Sequence, residues 1–194
     1  RNGGLDRLDR KSGKFMHCTA GGPDDCGLSA NSLTSLYLDR HGMLWVGTQG
    51  GALNRQVATA DGSLRFAPVD KRNGLDSDSI GGILGDESGQ IWVSTLKGIS
   101  RIDPATGTAT NYTGHTGASQ RGYWVNSATR LTDGRLVFGG LDGITVFRPT
   151  QLPKPAQPVP ILTEMPTGGL TYRPATPTRR PPDAAERPDT PPVP

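Results

Sequence analysis

A segment that recurs three times constrains the fold of this chain more than any other feature. The copies begin at Gly27, Gly74 and Gly122, so their starts lie 47 and 48 residues apart. They read GLSANSLTSLYLDRHGMLWVGTQGGALNR, GLDSDSIGGILGDESGQIWVSTLKGISRID and GYWVNSATRLTDGRLVFGGLDGITVFRP. Repeats of roughly 40 to 50 residues are typical of arrays in which each copy is one supersecondary unit.

Each copy has a local pattern that predicts four short antiparallel strands. An apolar run leads to an Asp-x-x-Gly turn, Asp39 to Gly42 and then Asp86 to Gly89, which shortens in the third copy to Thr132-Asp133-Gly134. A strand with Trp45 or Trp92 follows, and then a glycine turn and two further strands. No copy has a helical period. The sequence therefore predicts an all-β fold of β-propeller blades, four-stranded repeats of about 47 residues.

A division of the chain follows from the repeat and from the prolines, of which 14 of 17 lie between Pro149 and Pro194. We expect the end of a preceding blade at 1–26, blades at 27–73 and 74–121, a last partial blade at 122–152, and a proline-rich segment at 153–194. Three blades cannot close a propeller, which needs roughly four to eight, so we expect an incomplete array. The proline-rich segment is expected to be extended or disordered, either as a linker or as the truncated, frame-shifted start of another domain.

Charge and motifs exclude several classes of function. The formal charge of +3 is spread over the chain without a basic stripe, which disfavours nucleic acid as a partner. No run approaches the roughly 20 apolar residues of a membrane helix, so we expect membrane attachment only through segments outside this sequence. We find no catalytic constellation, no cofactor motif and no set of metal ligands, and we predict no enzymatic activity for this segment.

Two cysteines, Cys18 and Cys26, flank the loop TAGGPDD. Their spacing in a flexible loop favours a small disulfide if the compartment is oxidising. Two unreactive thiols are the alternative. A metal site would need further ligands nearby, and the only candidates are His17 and the Asp24-Asp25 pair.

The start of the third copy offers the candidate ligand-binding residues Tyr123, Trp124 and Asn126. Adjacent aromatic side chains beside a turn suit stacking on a sugar ring. The alternative is that one of them packs in the core, as Leu28 and Leu75 are expected to do. For Trp45 and Trp92, packing between blades is the favoured interpretation.

The first copy strongly resembles the two-component regulator propeller repeat, through GLS-x-N, the D-x-x-G turn and LWVGT. The second copy departs from this pattern at Ser94 and Lys97, and the third carries Val137 where the others have tryptophan. FGG followed by TVFRPTQL resembles the last blade of such an array. PAQPVPILTEM resembles the start of the Ig-like domain with three tyrosines that follows those blades.

The resemblance implies a role in signalling. In that family, such repeats form the periplasmic sensor region of homodimeric inner-membrane receptors with histidine kinase or diguanylate cyclase output. Family members sense oligosaccharides or other extracellular small molecules. The resemblance thus predicts a non-catalytic, periplasmic ligand-sensing segment. A propeller enzyme acting on polysaccharide and a protein-interaction scaffold are the alternatives.

Overall fold

The computed structural model describes residues 3–114, 117–119 and 121–152, together with the backbone of 165–167 and 170–172. Residues 1–155 and 156–194 are two separate units. In the second unit, Met165–Thr167 (β14) pairs antiparallel with Leu170–Tyr172 (β15). The expectations for the rest of the proline-rich segment lie outside the described residues. No helix in the described part of the chain has the length and hydropathy to span a bilayer.

The described residues of the first unit form four antiparallel sheets, which confirms the predicted all-β, four-stranded pattern. The short N-terminal sheet pairs β1 with β2, blade one contains β3 to β6, blade two contains β7 to β10, and blade three contains β11 to β13. The strands are β1 Leu5–Leu8, β2 Phe15–Cys18, β3 Leu33–Leu38, β4 Leu44–Thr48, β5 Leu53–Val57, β6 Arg65–Val69, β7 Ile80–Gly85, β8 Ile91–Thr95, β9 Ile99–Ile102, β10 Ala109–Tyr112, β11 Tyr123–Arg130, β12 Leu136–Gly140 and β13 Gly143–Phe147.

In blades one and two, the turn between the first two strands is built by one carboxylate. Asp39 accepts hydrogen bonds from the backbone N–H groups of His41 and Met43, at 2.8 and 2.9 Å. Its other oxygen accepts the indole N–H of Trp45 at 3.0 Å. One side chain therefore shapes the turn and fixes the ring of the next strand.

The third turn does not shorten, contrary to the prediction from the sequence. The N–H of Leu131 bonds to the carbonyl of Arg135 at 2.8 Å, as that of Asp39 bonds to Met43 at 3.0 Å. Blade three thus has the same four-residue turn with Leu131 in place of the aspartate. Val137 follows six residues later, at the position of the tryptophan, so both members of the hydrogen-bonded pair are replaced together.

The third copy begins at Gly117 and not at Gly122. The N–H of Gly117 bonds to the carbonyl of Gly114 at 3.2 Å and closes the same type of turn as the N–H of Gly74, which bonds to that of Lys71 at 3.1 Å. The next residue, Ala118, bonds to the carbonyl of Thr113 at 3.2 Å, as Leu75 bonds to that of Asp70 at 3.1 Å. Gly117-Ala118-Ser119 is therefore the counterpart of Gly27-Leu28-Ser29. The alignment at Gly122 was wrong because the leucine that marks the motif is absent.

Neighbouring blades pack face to face through three apolar clusters. Trp45 is fully buried against blade-two residues such as Ile83 and Ile91, which agrees with the expected packing role. Trp92 packs in the same way against Phe147 of blade three, with ring centroids 5.0 Å apart. The aromatic rings thus contribute to the interfaces that hold the blades together.

The two cysteines are bonded to each other, with Cα atoms 5.3 Å apart. Cys18 ends β2, and Cys26 lies beside blade one, where its carbonyl accepts the N–H of Phe66 at 2.8 Å. Both cysteines are buried in one apolar cluster with Leu28. The crosslink therefore fastens the N-terminal hairpin to the outer strand of blade one.

Candidate functional site

The first strand of blade three contains an insertion that the other blades lack. In β3, the three residues after Leu33 face two residues of β4, and β7 has the same one-residue bulge after Ile80. In β11, Tyr123 pairs with Gly140 but the next pairing is Ala128 with Phe138. The five residues after Tyr123 thus face two residues of β12, whereas only three residues face the corresponding two in blades one and two. Bulges of this kind bend a strand and redirect side chains, and they occur frequently beside functional sites.

Tyr123 anchors the start of the insertion. Only 4% of its surface is exposed, and its ring lies 6.2 Å from that of Phe138 in an edge-on arrangement. The hydroxyl accepts the N–H of Ser119 at 2.8 Å and lies 2.7 Å from the hydroxyl of Thr145. This side chain is fully engaged in the fold. In the strand pairing, Tyr123 occupies the position of Leu33 and Ile80 in the other blades. It therefore packs in the core, but not at the position of Leu28 and Leu75 with which the sequence aligned it.

Trp124, Val125 and Asn126 form what we call the β11 bulge, and all three are exposed. Trp124 is 59% exposed, unlike the buried Trp45 and Trp92. Asn126 has a φ of 55°, in the left-handed region that non-glycine residues rarely adopt. The insertion therefore places an aromatic face and an amide on the surface, while Tyr123 holds its base.

A second concave region lies at the opposite end of these strands. It has a volume of about 570 Å³ and is formed where the ends of β3 and β7 and the first two turns approach Arg130 of β11. We call it the inter-turn cavity. Arg40 forms one wall, with its guanidinium donating to the carbonyls of Glu87 and Ser88 at 2.9 and 3.1 Å. These bonds also join the turns of blades one and two.

The charged side chains that line the inter-turn cavity differ in whether they have hydrogen-bond partners. Partial burial opposes ionisation of Asp39, but the indole of Trp45 and two backbone N–H groups outweigh it and lower the pKa of this carboxyl. Arg130 is exposed, and its guanidinium has no hydrogen-bond or ion-pair partner in the described part of the chain. The cavity thus has a free guanidinium available to an anionic group.

Sequence reasoning identified the bulge residues but not the inter-turn cavity. Arg40 and Arg130 stand in different copies at non-equivalent positions, so no repeated motif marks them. Within the described ranges, no group of three or more histidine, cysteine or acidic side chains could hold a metal ion.

Comparison with known proteins identifies the repeat and the fold. Residues 27–50 match the family described as two component regulator propeller. No curated protein matches the chain in sequence. The extracellular domain of BT4673, named as a hybrid two component system of B. thetaiotaomicron, aligns over 78% of this chain with a TM-score of 0.60 and 23% identity. The chain spans 21% of the length of that domain.

A second solved structure has a different name. Selenomethionine-substituted virginiamycin B lyase from Staphylococcus aureus aligns over 79% of this chain and 51% of its own, with a TM-score of 0.51 and 22% identity. Similarity at these identities shows the fold alone. Together with the four-stranded sheets, it establishes that the chain is built from β-propeller blades.

Proposed function

We propose that this chain, whose residues 27–50 are a two-component regulator propeller repeat, is a non-catalytic ligand-sensing segment of a bacterial signalling receptor. The repeat match and the propeller fold support this proposal. The extracellular domain of BT4673, a protein named as a hybrid two component system, has the same fold. We place the segment in the periplasmic region of an inner-membrane receptor with histidine kinase or diguanylate cyclase output.

The observation that carries the ligand-sensing role is the β11 bulge. Trp124 lies on a strand insertion and is 59% exposed, whereas Trp45 and Trp92 are buried between blades. Aromatic faces bind the apolar faces of sugar rings, and the amide of Asn126 offers both a donor and an acceptor to hydroxyl groups. The ligand class that fits is an extracellular oligosaccharide or a similar small polyhydroxylated compound.

Saturation-transfer NMR with the full chain tests this site. The probes are a neutral cello-oligosaccharide and a uronic-acid oligosaccharide of equal length. We expect transfer to the sugar protons, and we expect Trp124→Ala to weaken binding at least about tenfold, since truncation of a tryptophan that anchors a contact costs on the order of 2 kcal/mol. Phe15→Ala, which removes an equally exposed aromatic side chain from β2 of the N-terminal hairpin, is the matched control and should leave binding unchanged. Equal binding by the wild type and Trp124→Ala would refute the bulge as the site.

The inter-turn cavity is the competing location on the same chain. A ligand held there would prefer the uronic-acid probe, because the free guanidinium of Arg130 attracts a carboxylate. Arg130→Ala would then abolish this preference, while Trp124→Ala would have no effect. The two substitutions lie at opposite ends of β11 and therefore separate the two sites.

Signalling and assembly require the parent receptor. We propose that the receptor is a homodimer and that ligand binding changes its phosphorylation or cyclase output. Reporter output in cells with wild-type receptor should rise with the cognate oligosaccharide, and Trp124→Ala should abolish the response at an unchanged receptor level. A response that survives this substitution would contradict a sensing role for the bulge.

A further inference from the structure

A second, smaller cavity lies between blades two and three. It has a volume of about 250 Å³, and its walls include the aromatic rings of Trp92, Tyr112 and Phe147 together with Ile99. We call it the junction cavity. It is distinct from the β11 bulge and from the inter-turn cavity. Apolar cavities of roughly 150 Å³ bind benzene, so this volume accommodates a substituted ring.

The junction cavity exists because one leucine is missing from the connection between these blades. Between blades one and two, Leu75 fills the space beside Leu53 and Val69 and is only 1% exposed. The counterpart of Leu75 is Ala118, which lines the cavity. The smaller side chain removes about three carbons of packing at this position, and the larger ring of Tyr112 in place of Val69 does not fill the gap.

Tyr112 provides an unpaired polar group in this aromatic surrounding. The residue is 5% exposed, and its buried hydroxyl forms no hydrogen bond with any residue that the structure describes. A buried hydroxyl without a partner costs about 1 to 3 kcal/mol, and such groups are rare in native proteins. Its counterparts Cys18 and Val69 have no hydroxyl, so the blade architecture does not require one here.

We propose that the junction cavity binds a small molecule that has one aromatic ring and one hydrogen-bonding group, with Tyr112 as the polar anchor. The ring would contact Trp92 and Phe147, whose centroids are 5.0 Å apart, and the polar group would pair with the hydroxyl of Tyr112. This site needs no contribution from Trp124 or Asn126. It therefore stands independently of the oligosaccharide site proposed above.

Phenol and toluene are matched probes for this site, because they share the ring and differ in the hydroxyl. In saturation-transfer and titration NMR with the full chain, we expect both to bind and phenol to bind more tightly. Tyr112→Phe should weaken phenol about three- to tenfold, the equivalent of one hydrogen bond, and leave toluene unchanged. Ala118→Leu restores the side chain found at Leu75 and should abolish binding of both probes.

The control for Ala118→Leu is Ala60→Leu, which adds the same side chain in an exposed turn and should leave both probes bound. Ala118→Leu should not lower the melting temperature, since it fills a space that leucine occupies in the other copies. A cavity that holds only water would give no transfer to either probe and would overturn the proposal. Binding that survives Ala118→Leu, or phenol binding that is insensitive to Tyr112→Phe, would overturn it as well.

Discussion

The indole N–H of Trp92 donates a hydrogen bond to Oδ2 of Asp86 at 2.8 Å, while Oδ1 of the same carboxylate accepts the backbone N–H of Gln90 at 3.0 Å. Asp39 and Trp45 repeat this arrangement in blade one. Each buried ring is thus oriented by the carboxylate that closes the preceding turn. A turn residue and an interface residue behave as one unit.

Asp86→Ala should therefore destabilise the fold more than an ordinary turn substitution. It leaves the buried N–H of Trp92 without a partner and opens the turn, and we expect a loss of about 2 to 3 kcal/mol in the free energy of unfolding. Asp133→Ala is the matched control, an exposed carboxylate in the third turn that should cost less than about 1 kcal/mol. Urea unfolding followed by circular dichroism measures both.

A double-mutant cycle of Asp86→Ala and Trp92→Phe measures the coupling directly. Each change removes one partner of the hydrogen bond, so the double variant should be at least about 1 kcal/mol more stable than the sum of the single losses predicts. Additive losses would show that the carboxylate and the ring stabilise the blade independently.

The Cys18–Cys26 disulfide closes a short loop, with a sequence separation of 8 residues. The chain-entropy relation gives about 2.5 kcal/mol for a loop of this size. We expect a reductant to lower the melting temperature of the wild type and to have no effect on Cys18→Ser/Cys26→Ser. Mass spectrometry of protein expressed in the periplasm should show the oxidised form. Free thiols in that protein would show that the crosslink does not hold the N-terminal hairpin to blade one.

Asp76 should make stability depend on pH. Burial raises the pKa of this carboxyl above its ordinary value of 3.8, although Lys97 partly opposes the shift, and Oδ1 has no hydrogen-bond partner among the residues that the structure describes. A raised pKa means that the folded state is favoured while the group is protonated and loses this advantage as the pH rises through the folded-state pKa. Asp76 therefore destabilises the fold at neutral pH.

Asp76→Ser tests this assignment, since Ser29 and Ser119 occupy the equivalent position in the other copies. The gain at pH 7 should be on the order of 1 kcal/mol, which corresponds to roughly 2 to 4 °C in melting temperature. The gain should disappear below about pH 3.8, where both states bind the proton. A gain that is the same at both pH values would rule out ionisation as its cause.

Gly82 permits the close approach of blades two and three. A Cβ at this position would lie 2.6 Å from the Cβ of Ala128 in β11. Gly82→Ala should therefore cost about 1 to 3 kcal/mol through overpacking, and Ala128→Gly should recover part of the loss. Gly3→Ala is the control and should be neutral, because an added Cβ there would have no described atom within 4 Å apart from those of its chain neighbours. Calorimetric melting of Gly82→Ala, Ala128→Gly, their double variant and Gly3→Ala distinguishes local contact from a general effect of the added methyl group.

The sequence predicts the strands, the first two turns and the burial of two tryptophans, because each depends on side chains that recur at fixed spacing. It misplaces the third copy for a physical reason. Ala118 stands where the other copies have Leu28 and Leu75, so the motif is not recognisable there. Asn126-Ser127, at the end of the bulge, has the same residues as Asn31-Ser32 and gives a false match. Hydrogen-bond pairing distinguishes these alternatives, whereas residue identity does not.

The candidate sites are predictable only in part. Adjacent aromatic residues pointed to Tyr123 and Trp124, but their division into a buried anchor and an exposed face depends on the extra residues of the bulge. The junction cavity results from a missing side chain and from the approach of separate blades. No local pattern in the sequence contains that information.

The insertion in β11 begins after one strand pairing and ends before the next, so the added length is absorbed within a single strand. From Ala128 onward, β11, β12 and β13 continue in the regular register. An array with this property can diversify one copy while the remaining copies stay interchangeable. A ligand-binding surface can therefore change in one blade without any change in the strand pairing of the neighbouring blades.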